Sequence, residues 1–97
     1  MEKNIINIGD SVTFNWYVKN SRETIEGFII KKRKTKNPGN RCIIKQNMIP
    51  EIIWDDFENI NKTTLLYTIK SLNDCIYENI KADCVQPASI LLLEFLI

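Results

Sequence analysis

The sequence has no histidine anywhere in its 97 residues. No Ser-His or Cys-His pair can therefore form within the chain, and the commonest general base is missing. A structural zinc site, usually built from Cys and His, loses half its usual donors. The three cysteines, Cys42, Cys75 and Cys84, are odd in number and widely spaced, with no CxxC pair. They read as reduced thiols behaving as small hydrophobes, in a compartment that does not oxidise them. Glycine is scarce, at three residues, and no GxxxxGK[ST] or GxGxxG loop is present to cradle phosphates on backbone amides. No serine stands in a GxSxG turn. No apolar run approaches the roughly 20 residues of a membrane span. The opening MEKNIINIGD has no apolar signal-peptide core. These absences lead us to expect a non-enzymatic protein without cofactor or metal, off the membrane, with a cytoplasmic or intracellular location.

Alanine is nearly missing too, at two residues, whereas Ile, Asn and Lys supply 17, 11 and 10. An AT-rich genome explains that bias without reference to function, and it suits a low-GC bacterium, a phage or another virus. In a viral protein the location becomes the host-cell interior. The 44% apolar and 26% charged fractions are those of an ordinary globular chain, not a disordered one. At this length we expect one domain spanning residues 1–97.

Acidic residues are missing between Glu26 and Glu51. The net charge of +1 thus hides a basic first half and an acidic second half. Such a split suits an anionic partner on one side of the molecule.

Positive signals begin at Gly9-Asp10, a turn. Ser11 to Lys19 alternates, with Val12, Phe14, Trp16 and Val18 on one side. Period two with β-branched and aromatic residues predicts a half-buried strand. Asn20 to Glu23 predicts the turn after it. A second strand runs from Thr24 to about Lys32, with Gly27 marking a bulge or a bend where the strand changes sheet. A third runs from Arg41 to Lys45. Between them Asn37-Pro38-Gly39-Asn40 has Pro and Gly at the centre of a type II turn. We therefore expect a β-hairpin with a protruding basic tip.

Pro50 as a first helical residue, Glu51 in the first turn, and Ile53, Phe57 and Ile60 at helical spacing predict a short helix over Ile49 to Asn59. A strand competes there, because Ile52-Ile53-Trp54 is β-friendly. Thr63 to Leu72 predicts a strand with Leu65, Tyr67 and Ile69 on one face and Leu66 opposite. Asn73-Asp74 turns the chain. Cys75 to Glu78 returns as a strand, and Lys81 to Val85 makes one turn of helix. Ser89 to Ile97 is apolar except for Glu94, and is either a buried strand or a docked helix.

The stretches GDSVTFNW, EGFIIKKR, RCIIKQ and IYENIKADCVQP, in that order, resemble SH3-like barrels of the KOW or Tudor type. Such barrels often begin at a Gly-Asp turn, bend the second strand at a glycine and place one helical turn before the last strand. The likeness covers Gly9 to Ser89 and lies in architecture and spacing. It implies a β-dominated fold, all-β or α+β: a small SH3-like barrel of five to six short strands with one short helix. The segment from Ile49 to Asn59 is an insertion relative to the simplest such barrel.

The most chemically distinctive residues are Lys31, Lys32, Arg33, Lys34 and Lys36, extended by Arg41 and Lys45. Several cations on one hairpin can neutralise phosphates and release their counterions. Asn37 and Asn40 can add phosphate hydrogen bonds, and Tyr17 or Trp16 can stack on a base. KKRK also resembles a nuclear-localisation signal. Alternatively the same cations are a solvated loop that blunts an edge strand.

Trp54 is expected to be exposed, and beside Asp55 and Asp56 it can anchor a partner protein. Otherwise it folds onto the domain. The carboxylates Asp55, Asp56 and Glu58 read as a solvated acidic face. Ser89 to Ile97 closes the fold or pairs two copies into a homodimer.

Three functions from different classes follow. The first is a binding module that uses a basic hairpin to engage a phosphate-bearing ligand, most simply nucleic acid. The second is a virus- or mobile-element-encoded interaction module that inhibits a host protein complex. The third is a protein that sequesters a small nucleotide.

Overall fold

A computed structural model describes residues 6–54 and 63–88. Strands take 63% of those residues. They are β1 (Ser11–Val18), β2 (Ser21–Thr35), β3 (Arg41–Ile44), β4 (Glu51–Ile53), β5 (Thr64–Ser71), β6 (Ile76–Lys81) and β7 (Val85–Pro87), with a single 3-10 turn at Ala82–Cys84 before β7. The seven strands form one antiparallel sheet in the order β4-β3-β6-β5-β2-β1-β7, and it is not closed. No helix among the described residues is long and apolar enough to cross a membrane.

The alternation of β1 survives intact. Val12, Phe14 and Trp16 are buried, and Asn15 and Tyr17 are exposed between them. The chain reverses earlier than expected, in a two-residue loop at Lys19-Asn20 that pairs Val18 with Ser21. Lys19 takes a positive φ of 55°, as hairpin turns that match the strand twist require.

β2 is far longer than the sequence suggested, at 15 residues. It pairs with β1 through Ser21 to Phe28 and with β5 through Gly27 to Thr35. Gly27 lies where it is paired on both sides, to Val12 and to Ser71. A Cβ there would lie 2.4 Å from the Lys70 carbonyl oxygen and 2.9 Å from Ile69 Cγ2. The glycine thus serves close strand approach. The register shift lies beyond it, between Ile29 and Lys31.

Two expectations are corrected. The first is the basic hairpin. β2 and β3 are not paired, and β5 and β6 lie between them. Both edges of β2 are taken, one by its local hairpin with β1 and the other by eight register pairs with the apolar β5. The four residues of β3 pair instead with β4 and β6. Residues 36–40 therefore carry the chain across the ends of two strands. The second is the helix from Ile49 to Asn59. Glu51–Ile53 is a strand on the edge of the sheet, paired with Arg41 to Ile43, so the β preference of Ile52-Ile53 wins over the helix-start signal at Pro50. Residues 55–59 of that expected helix, like Ser89 to Ile97, lie outside the described residues.

Elsewhere the expected pattern holds. β5 buries Tyr67 and Ile69 on the core face, with Leu65 packed against the core. The chain turns through Asn73-Asp74, where Asp74 takes a φ of 66°. The single helical turn before the last strand is the 3-10 turn.

The core forms because the sheet curls over its own face. β1 and β6 are three strand positions apart, which in a flat sheet would be roughly 14 Å. Yet the Tyr77 ring meets Phe14 edge-on at 5.2 Å and Trp16 at 4.9 Å between centroids. Ile29, Ile43, Ile69, Ile80 and Val85 fill the space around them. Edge-to-face aromatic pairs add about 0.5–1.5 kcal/mol each beyond their burial. Tyr77 is 4% exposed, and burial is the main cause pushing its hydroxyl pKa up to about 12.

Candidate functional site

Where β1 ends, residues 36–40, the end of β6 and the 3-10 turn enclose a cleft of about 540 Å³. That volume is within the roughly 300–1,000 Å³ of small-ligand sites. Its charged lining is Arg41, Lys81 and Asp83, its exposed aromatic is Tyr17, and Pro38 and Gly39 present backbone to it.

The loop that walls the cleft is held from behind by β6. Asn79 takes a left-handed φ of 63° and sits in a bulge that shifts the β5–β6 register between Tyr67 and Ile69. Asparagine tolerates that conformation better than most residues. The bulge turns its amide toward residues 36–40. Asn79 Nδ2 donates to the Asn40 carbonyl at 2.7 Å, and its Oδ1 accepts from the Arg33 guanidinium at 2.6 Å. Arg33 also donates to the Pro38 carbonyl at 3.3 Å. Gly39 takes a positive φ of 73°, but residues 37–40 run as irregular chain without the expected type II turn. Asn37 closes a small local turn, its N–H donating to Thr35 Oγ1 at 3.0 Å.

Arg41 is fixed just as firmly. Its guanidinium lies 4.7 Å from the Trp16 ring and donates to the Tyr17 carbonyl at 2.9 Å. Stacking on an aromatic face suits a planar, weakly hydrated guanidinium. Trp16 is thereby committed. It is 6% exposed, packed on Tyr77 and met by Arg41, so Tyr17, which is 51% exposed, is the aromatic open to solvent there.

The expected basic patch is divided. Lys32 is tied back, its Nζ donating to the Ile6 carbonyl at 2.7 Å and lying 5.9 Å from the Tyr67 ring. Arg33 and Arg41 brace the cleft. Lys31, Lys34, Lys36 and Lys45 are exposed. Successive residues of β2 point to opposite sides of the sheet, so Lys31 to Lys34 do not share one face.

Sequence reasoning missed Asn79, Lys81 and Asp83, because strand pairing brings them to the cleft from a distant part of the chain. One signal was present. Tyr77 and Ile80 are both buried yet three residues apart, which breaks the period of two and marks a bulge between them.

Cys84 also opens on the cleft. Desolvation and the neighbouring Asp83 carboxylate push its thiol pKa up, against a smaller pull from Lys81 and Arg41. A protonated thiol is a poor nucleophile.

At the other end of the sheet, the β4 edge carries exposed apolar side chains: Ile49 at 90%, Trp54 at 81%, and Met48 and Ile52 as well. Asp55 and Asp56 lie outside the described residues. No protein family, curated protein or solved structure matches the chain.

Proposed function

We propose that this protein is a non-enzymatic module that binds a phosphate-bearing ligand, most simply nucleic acid, at the cleft beside the cation-rich end of β2. The observation that carries this is the placement of Arg41, Lys81 and the half-exposed Tyr17 around one cleft. Its wall is pinned to β2 by the Arg33–Asn79–Asn40 contacts. Cations supply backbone affinity without base specificity, and an exposed aromatic supplies stacking. The exposed Lys31, Lys34, Lys36 and Lys45 add positive charge elsewhere on the molecule, with Lys31 and Lys34 on opposite faces of β2. For the fold, we infer a small SH3-like arrangement of the KOW or Tudor type, supported by the curl that seats Tyr77 on Phe14 and by the single 3-10 turn before β7.

The test is an anisotropy titration of a labelled oligonucleotide over a range of salt. Replacing Lys31, Lys34, Lys36 and Lys45 by Ala removes up to four phosphate contacts. The log–log salt slope then becomes less steep by about 3 for a single strand. Equal binding and an equal slope in that variant would reject the proposal.

The β4 edge favours a second reading, docking of a partner protein on Ile49, Ile52 and Trp54, because exposed apolar residues on an open strand are unusual without a partner. A stable pull-down partner lost on Trp54→Ser, with no nucleic-acid binding, would favour it over the first.

A further inference from the structure

The cleft is not uniformly cationic. Asp83 lines it together with Lys81 and Arg41, and all three charges act on the Cys84 thiol, so they share one neighbourhood. A carboxylate is the wrong group for a site that takes phosphate alone, since it repels every phosphate oxygen. It suits a ligand that carries an anion at one end and N–H donors at the other.

We propose that the cleft holds one unpaired nucleotide whose base bears an exocyclic amine, an inference that rests on the nucleic-acid reading above. The phosphate faces Arg41 and Lys81. The base lies on Tyr17. The amine donates to the Asp83 carboxylate, which is the way Asp and Glu recognise cytosine N4. Thymine and uracil present a carbonyl acceptor at that position and leave the carboxylate facing another lone pair. The base must be unstacked from a duplex, because there both its faces are covered by neighbouring bases and neither can lie on Tyr17. The same chemistry is offered by a free nucleotide and by one unit of a single strand.

The experiment is anisotropy at fixed low salt with labelled oligo-dC, oligo-dT and a duplex of equal length, with CMP as competitor. Oligo-dC is expected to bind about tenfold more tightly than oligo-dT, and the duplex more weakly than oligo-dC. Asp83→Asn, whose amide can either accept or donate, brings the dC to dT ratio close to one. Tyr17→Ala weakens both single strands together, and Tyr17→Phe restores them. Both positions are exposed, so the variants keep the fold, and their amide spectra check it. Competition by CMP that depends on Asp83 assigns the site to free nucleotides as well, and its absence assigns it to strand units. Equal affinity for oligo-dC and oligo-dT, a preference that survives Asp83→Asn, or duplex binding as tight as single-strand binding overturns the inference while leaving the broader nucleic-acid reading intact. No salt-sensitive binding to any of these probes overturns both.

Discussion

At the cleft, the walls are held from behind. Asn79 ties the loop to β6, Arg33 ties it to β2, and Trp16 with the Tyr17 carbonyl fixes Arg41. At the β4 edge nothing comparable exists among the described residues. A three-residue strand carries Ile52 outward, flanked by the exposed Ile49 and Trp54. The difference teaches where precision is located. Polar groups locked by hydrogen bonds lose little entropy when a ligand arrives. A bare apolar edge offers area without geometry, and its chemistry suits a surface that another surface covers. We therefore propose the cleft, and not the β4 edge, as the place where a small polar ligand is recognised.

The comparison is broken most severely at Trp16. Trp16→Ala removes the platform under Arg41 and one of the rings packed on Tyr77. We expect a loss of about 3–5 kcal/mol in urea denaturation, a large share of the roughly 5–15 kcal/mol that holds a domain folded. Asn79→Ala comes next. Alanine at a φ of 63° is strained, and both amide contacts vanish, so about 2 kcal/mol is expected. Asn79→Gly relieves the strain and leaves only the loss of the contacts. Comparing the two by the same denaturation separates backbone from side chain.

Tyr77 supplies a pH test of the face that supports the cleft. Its hydroxyl titrates at about 12 in the fold and near 10 when unfolded. A raised pKa means the native state holds the proton more tightly. That contribution is therefore complete below about pH 10 and is lost as pH climbs through the folded value. The urea midpoint should fall in that alkaline window, and Tyr77→Phe should remove the part due to this group. The smallest effect is expected at the edge. Trp54→Ser should change stability by no more than about 0.5 kcal/mol, because the side chain is exposed. A larger loss would mean that the edge is packed after all, and the contrast with the cleft would weaken.

Legibility differed along the chain for physical reasons. β1 was readable because alternation is local and one face is buried. Gly27 was readable as special, though its role is close approach to Lys70 and not the bulge. Strand pairing was not readable. Gly39 keeps the positive φ that its type suggested, but residues 37–40 form no turn, and the apolar β5 occupies the edge of β2 that a hairpin would have used. The edge strand at Glu51–Ile53 was hidden by a helix-start signal that pairing with Cys42 and Ile43 overrides. At the site, Tyr17 and Arg41 were visible as residue types beside a basic run. Lys81 and Asp83 were not, since only the sheet order brings them to the end of β1.

The most direct test of the central claim is an amide chemical-shift map of the labelled protein titrated with a short single-stranded oligonucleotide. The account predicts that the largest shifts fall at Tyr17, Gly39, Asn79, Lys81 and Asp83, with smaller ones along Lys31 to Lys36. Shifts concentrated at Met48 to Trp54, or a spectrum unchanged at saturating oligonucleotide, would contradict it.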